Sequence, residues 1–101
     1  PTPNVSLVEL VFLKEKKIDK VKINNAFKLA SKNKLKKILE ITNEKLVSID
    51  FNHNPASAII DTSLTNVVGN NMGKISAWYD NEWGFSNRMC DIALYLKKNF
   101  N

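Results

Sequence analysis

The chain has 101 residues, 44% of them hydrophobic, enough for one modest core and too few for two domains. Its net charge is +5 and its single cysteine, Cys90, excludes an internal disulfide framework, which suits a reducing, cytoplasmic setting. No run approaches the roughly 20 apolar residues of a membrane span and none reads as a signal peptide, while Pro1 in place of an initiator methionine suggests a chain that begins inside something longer or has been processed.

Residues 5–13 are apolar on both alternating sets, with Val8, Leu10 and Phe12 on one side and Val5, Leu7, Val11 and Leu13 on the other. Glu9 interrupts the second set. A strand with two apolar faces needs cover on both, and so short a chain has little left to supply the second. The spacing therefore predicts a strand over 5–13, with one sheet face buried against another polypeptide.

Residues 14–17 read as a charged turn. Asp19 is a candidate N-cap, and Ile23, Ala26, Phe27 and Ala30 recur at helical spacing, which predicts a helix over 19–31. The positive charge gathers here: residues 14–45 hold eleven lysines and four acids, net +7, against net −2 elsewhere. Lys20, Lys22, Lys28 and Lys32 take the more polar helix positions. A basic stripe invites a nucleic-acid reading, but it contains no arginine and no aromatic to stack bases, so a solvated helix face is the better account.

Residues 35–41 fit either a last helical turn or a strand. Residues 47–51 alternate as a strand, 52–55 form a loop by composition, and 57–61 and 65–68 read as two further strands. His53, the one histidine, sits between asparagines near Pro55, where a solvated turn residue outweighs a catalytic base. Gly69, Asn70 and Asn71 supply the turn into a last strand over 74–80, with Ile75, Ala77 and Tyr79 on one side and Ser76 and Trp78 on the other.

That strand runs straight into a helix predicted over 84–98. Phe85, Met89, Ile92 and Leu96 mark one face of it, with Ala93 alongside. Asp80 and Asn81 are good N-cap residues, and Glu82 places a carboxylate at the helix's positive end. A strand ending in polar residues at a helix start is a frequent ligand-binding place, although a capped helix with Trp78 and Trp83 in a core explains the same spacing. The expected fold class is α+β, a mainly antiparallel sheet with helices on one face, ending in a long C-terminal helix.

Tyr79-Asp80-Asn81-Glu82-Trp83-Gly84-Phe85-Ser86-Asn87-Arg88 closely resembles the C-terminal signature of phosphorylating glyceraldehyde-3-phosphate dehydrogenases. Pro1-Thr2-Pro3-Asn4-Val5-Ser6 and Val47-Ser48-Ile49-Asp50-Phe51-Asn52 resemble two others, in the family's order. The resemblance spans essentially the whole chain, though erythrose-4-phosphate dehydrogenases share much of this region; Tyr79 leans towards the glyceraldehyde branch. It implies that residues 1–101 are the C-terminal portion of the catalytic domain of an NAD-dependent, cytoplasmic, glycolytic enzyme. In such an enzyme the helix from about residue 84 packs back toward the NAD-binding domain. The homotetrameric family packs the sheet of this domain against a sister subunit, with a sugar phosphate and inorganic phosphate as small-molecule partners. The reaction implied is thiohemiacetal formation on a cysteine, hydride transfer to NAD, then phosphorolysis of the thioester.

None of that covalent chemistry resides in these residues. The family's nucleophile lies in a Ser-Cys-Thr-Thr-Asn motif and its histidine partner also lies upstream, so neither Cys90 nor His53 takes those roles. Cys90 follows Met89 in the last helix, where a small buried and inert side chain is expected. The arginine that usually precedes Pro-Thr-Pro and helps hold a substrate phosphate is not here either. Gly69, Gly73 and Gly84 cannot form a dinucleotide-binding loop, and one cysteine and one histidine far apart make no metal site. The resemblance assigns cofactor binding to Asn81, whose amide would pair with the nicotinamide carboxamide, and to Phe85, an aromatic beside the ring where many relatives carry tyrosine. Tyr79 matches a tyrosine near the reactive cysteine, where its phenol either tunes the thiolate or is a core hydroxyl. A non-catalytic basic binding module is the rival of a different class.

Overall fold

A computed structural model describes residues 2–100, so Pro1, and with it the start of the opening signature, lies outside the described residues. Five strands form one sheet: β1 (Ser6–Leu13), β2 (Leu39–Thr42), β3 (Ala58–Asp61), β4 (Asn66–Val68) and β5 (Met72–Tyr79). Two helices accompany them, α1 (Lys20–Lys32) and α2 (Asn81–Phe100). The spatial order is β1-β5-β3-β2, with β4 also pairing with β5. Every pair is antiparallel except β2 with β3, so the sheet is mixed, and the class is α+β with a long C-terminal helix.

The two faces differ because the strand residues alternate. On one, Ile60, Ile75 and Ala77 meet Leu39 and Ile23 in the main core, and Phe12, Phe27 and Ala30 pack around them. Asp19 caps α1 as expected, its carboxylate accepting the Lys22 N–H at 2.8 Å. Burying Ile23 contributes on the order of 1.5–3 kcal/mol, which does more to hold α1 on the sheet than helix propensity does. The ring of Phe12 lies over Gly73, on ground that a Cβ would occupy. On the opposite face Val5, Phe51, Ala56 and Ile59 form a smaller core, closed by Leu46 and Trp78. Trp78 stacks on Phe51 with ring centroids 5.4 Å apart and donates its indole N–H to buried Asp61 at 3.2 Å.

Residues 47–51 are not the strand that their alternation predicts. Ser48–Phe51 is a short 3-10 turn that packs only Phe51 into the core. The reason is local bonding: Asp50 accepts the Val47 N–H at 2.8 Å and the Asn52 N–H reaches the Ile49 carbonyl at 3.1 Å. Residues 35–41 prove to be turn and then strand, with Lys37 in the left-handed region at φ 70° and β2 beginning at Leu39.

The outer strand and the last helix lie bare. In β1, Leu7, Val8, Leu10, Val11 and Leu13 are all exposed, on both faces. From Met89 to Phe100 every residue of α2 is exposed, because the helix leaves the end of the sheet and no element among the described residues covers it. That is why Cys90, expected to be buried, is exposed. Trp83 is likewise no core residue, being 43% exposed. Among the described residues no helix is long and apolar enough to cross a membrane.

Candidate functional site

The site is built where β5 ends and α2 begins. Asp80 sits between them, 2% exposed, with both carboxylate oxygens engaged. Oδ1 caps α2 by accepting the Trp83 N–H at 3.1 Å. Oδ2 accepts the side-chain amide of Asn4 at 3.0 Å and the backbone N–H of His53 at 2.9 Å. Burial alone would raise the pKa of this carboxyl, but the N–H groups of His53 and Trp83, then the Asn4 amide and the charge of His53, outweigh it and hold the pKa below the usual range.

Asn4 also donates to Asn52 Oδ1 at 2.7 Å, so the opening segment is tied to two loops at once. Val5, next along, is buried with φ 71°. A β-branched residue in the left-handed region carries strain of about 1–3 kcal/mol. Packing of Val5 in the core with Phe51 and Ile59 offsets it. Backbone strain thus collects beside the cleft.

That cleft, about 410 Å³, is lined by Thr2, Pro3, Asn4, Val5, Ser6, Tyr79, Asn81 and Glu82. Asn81 is exposed at the first position of α2, and among the described residues its side-chain amide has no hydrogen-bond partner. Tyr79 is half-buried opposite Ser6. The structure therefore brings Tyr79 and Asn81 together with the opening segment. Phe85 stays outside the lining, one turn along α2 and 66% exposed.

The neighbouring loop explains two other residues. His53 is exposed in the left-handed region at φ 60° and stacks on Trp83, with centroids 4.5 Å apart. Gly84 lets α2 approach this loop, since a Cβ there would stand 3.1 Å from the Ala56 carbonyl oxygen. Arg88 fastens the contact by donating to the Pro55 carbonyl and to Ser57 Oγ, both at 3.1 Å, while it pairs with Asp91 at 2.8 Å. Lys28, Lys32 and Lys37 line a wider open groove of about 630 Å³ between α1 and β2, with Glu40 the one acid among its lining residues.

Sequence reasoning singled out Asn81 and Tyr79 but missed the tie from Asn4 to Asp80. Asp80 was visible only as a cap, and its second oxygen is used by a residue 76 positions away. The one signal was that Asn4 and Asp80 belong to two signature stretches.

The description "Glyceraldehyde 3-phosphate dehydrogenase, C-terminal domain" belongs to the family model that matches residues 1–81. The chromosomal glyceraldehyde-3-phosphate dehydrogenase of Cupriavidus necator is 52% identical over 96 residues, covering 95% of this chain and 28% of that protein. Glyceraldehyde-3-phosphate dehydrogenase 2 of Staphylococcus aureus is 52% identical over 93 residues, covering 92% of this chain and 26% of its own length. The chloroplastic glyceraldehyde-3-phosphate dehydrogenase A of Nicotiana tabacum is 50% identical, covering 92% of the chain and 24% of that protein. The chain thus spans about a quarter of the length of the curated relatives it matches. With a family model over most of its length and half its residues shared with these enzymes, the chain belongs to the glyceraldehyde-3-phosphate dehydrogenase family and carries that family's C-terminal domain.

Proposed function

We propose that the chain is the C-terminal portion of the catalytic domain of an NAD-dependent, cytoplasmic glyceraldehyde-3-phosphate dehydrogenase, in which Asn81 orients the nicotinamide. The enzyme would oxidise and phosphorylate its aldehyde in glycolysis through a thioester on a cysteine that lies outside these residues. All three relatives named above are glyceraldehyde-3-phosphate dehydrogenases, which favours that substrate over erythrose 4-phosphate.

The observation that carries the proposal is the Asn81 amide, unpartnered among the described residues, on the wall of the cleft beside Tyr79 and the opening segment. An amide presents one donor group and one acceptor, the complement of a carboxamide. The described residues fit that end of NAD. The adenine and diphosphate would be held by residues beyond these, and NAD would supply the hydride acceptor. Phe85, on the same face of α2 as Asn81, offers a flat apolar surface without the hydroxyl of a tyrosine, and Tyr79 contributes a phenol at the cleft.

The bare surfaces support a larger assembly. We assign the exposed apolar residues of α2 to contact with the NAD-binding domain, and those of β1 to a sister subunit of a homotetramer.

The test is Asn81→Ala in the full-length enzyme, with single-turnover hydride transfer measured beside equilibrium NAD binding. Losing one or two amide hydrogen bonds costs roughly 0.5–1.5 kcal/mol each, so binding should weaken modestly. A ring free to rotate loses its alignment, and about 1 Å of misplacement can cost around 10²-fold in rate. Collapsed binding with unchanged transfer at saturating NAD would make Asn81 an affinity contact and refute the orienting role.

A further inference from the structure

The geometry points to Asp80 as a positioning residue that holds the two walls of the cleft in register, Asn81 on one side and the opening segment on the other. This rests on the reading of Asn81 given above. Capping α2 needs one oxygen, and Ser, Thr or Asn supplies it as well as Asp does. Asp80 is instead a carboxylate 2% exposed, and among the described residues no lysine or arginine pairs with it. Burying such a charge is costly, and a cap does not require it.

The second oxygen shows what the charge is used for. Oδ2 receives Asn4 at 3.0 Å and the His53 N–H at 2.9 Å, while Oδ1 receives Trp83. Two donors converging on one oxygen are better served by a carboxylate than by a neutral amide or hydroxyl. Asn81 follows Asp80 directly in the chain, and Asn4 lines the cleft from the other side. One side chain therefore sets the distance between the residue assigned to the cofactor and the segment that faces it. The strained backbone at Val5 needs such a hold, because a segment at φ 71° would relax if released.

Asp80→Asn separates this role from capping. Its remaining oxygen can still accept the Trp83 N–H, but its NH₂ then faces two donors, Asn4 and His53. In the full-length enzyme without cofactor, amide exchange at Val5 to Leu7 should quicken roughly tenfold while the first turn of α2 stays protected. Single-turnover hydride transfer at saturating NAD should fall on the order of 10- to 10²-fold, with the NAD dissociation constant moving less than about threefold. Asn4→Ala should shift both readouts the same way, and the double variant should be no slower than Asp80→Asn alone. Transfer within about twofold of wild type, additive losses in the double variant, or faster exchange confined to α2 would each overturn the inference. Should Asp80→Asn not fold, Asn4→Ala decides on the same readouts. With Asn81→Ala run alongside, normal transfer in that variant brings down the orienting role and this inference together. Slow transfer in Asn81→Ala with normal transfer in Asp80→Asn brings down this inference alone.

Discussion

His53 lies against Trp83 with an angle of 28° between the rings, its backbone N–H spent on Asp80. The only histidine of the chain is therefore a loop anchor that packs the segment after the 3-10 turn onto the start of α2. His53→Asn keeps a residue that tolerates the left-handed backbone and removes the stack, worth about 0.5–1.5 kcal/mol, together with the small favourable charge beside Asp80. Thermal stability should fall slightly while turnover of the full-length enzyme stays within about threefold of wild type. A loss of several orders of magnitude would place the imidazole in the chemistry.

Acid should release the Asp80 contacts. Its pKa in the folded chain lies below the unfolded value, so its stabilisation is complete above the unfolded pKa, about 3.9 for an aspartate, and disappears as pH falls through the folded one. Comparing unfolding of wild type and Asp80→Asn across pH, the stability gap should be constant above about pH 5 and should close below about pH 4. A gap that stayed constant down to pH 2 would contradict the assignment.

At Gly84 two effects oppose each other. Alanine gains about 1 kcal/mol of helix propensity. Its Cβ would press at 3.1 Å on the Ala56 carbonyl, in a loop held by Arg88 and by the Ala56 N–H to Asn54 bond at 2.8 Å. With both partners fixed, the contact should cancel the propensity gain. Gly84→Ala should melt no higher than wild type, and Gly84→Val several degrees lower. A clear rise in Tm for the alanine variant would mean that the loop yields.

The 101-residue chain by itself should not act as a dehydrogenase. One amide, even in the orienting role proposed for Asn81, cannot supply the 8 kcal/mol or so of barrier lowering at the low end of enzymatic catalysis. NADH formation from aldehyde, phosphate and NAD should match the no-protein control, and a rate that survives repurification would show that these residues carry chemistry of their own.

Much of the fold was legible where one physical signal dominated. The alternation that runs through Ile75 and Ala77 located β5, and the helical spacing of Ile23, Phe27 and Ala30 located α1, because these residues face a core. Signals failed where side chains bond to nearby backbone. Val47, Ile49 and Phe51 alternate like a strand, but Asp50 folds the backbone into a turn and leaves Val47 61% exposed. Cys90 was misjudged for a different reason: among the described residues no element covers α2 from Met89 onward, so a helix face that reads as buried stays exposed. The site was half legible. Local rules mark Asp80 as a cap, and no local rule reaches from Asp80 to Asn4.

The longest ladder of the sheet has a consequence for how the chain is made. β1 pairs with β5, so Ser6 lies opposite Tyr79, and the strand synthesised first waits for the strand synthesised last of the five. Pairings that close long loops are slow, because the entropy of closure comes before any contact rewards it. During that wait a segment apolar on both sides, with an unpaired edge, stands free in a growing polypeptide, the condition under which chains associate wrongly. α1, β2 and β3 can assemble locally, β4 joins only when β5 pairs with it, and β5 then offers β1 its template. Glu9 and Lys74, paired at 2.9 Å across that ladder, place one charge in each strand, and the lone acid of β1 guards it through the interval when it has no partner.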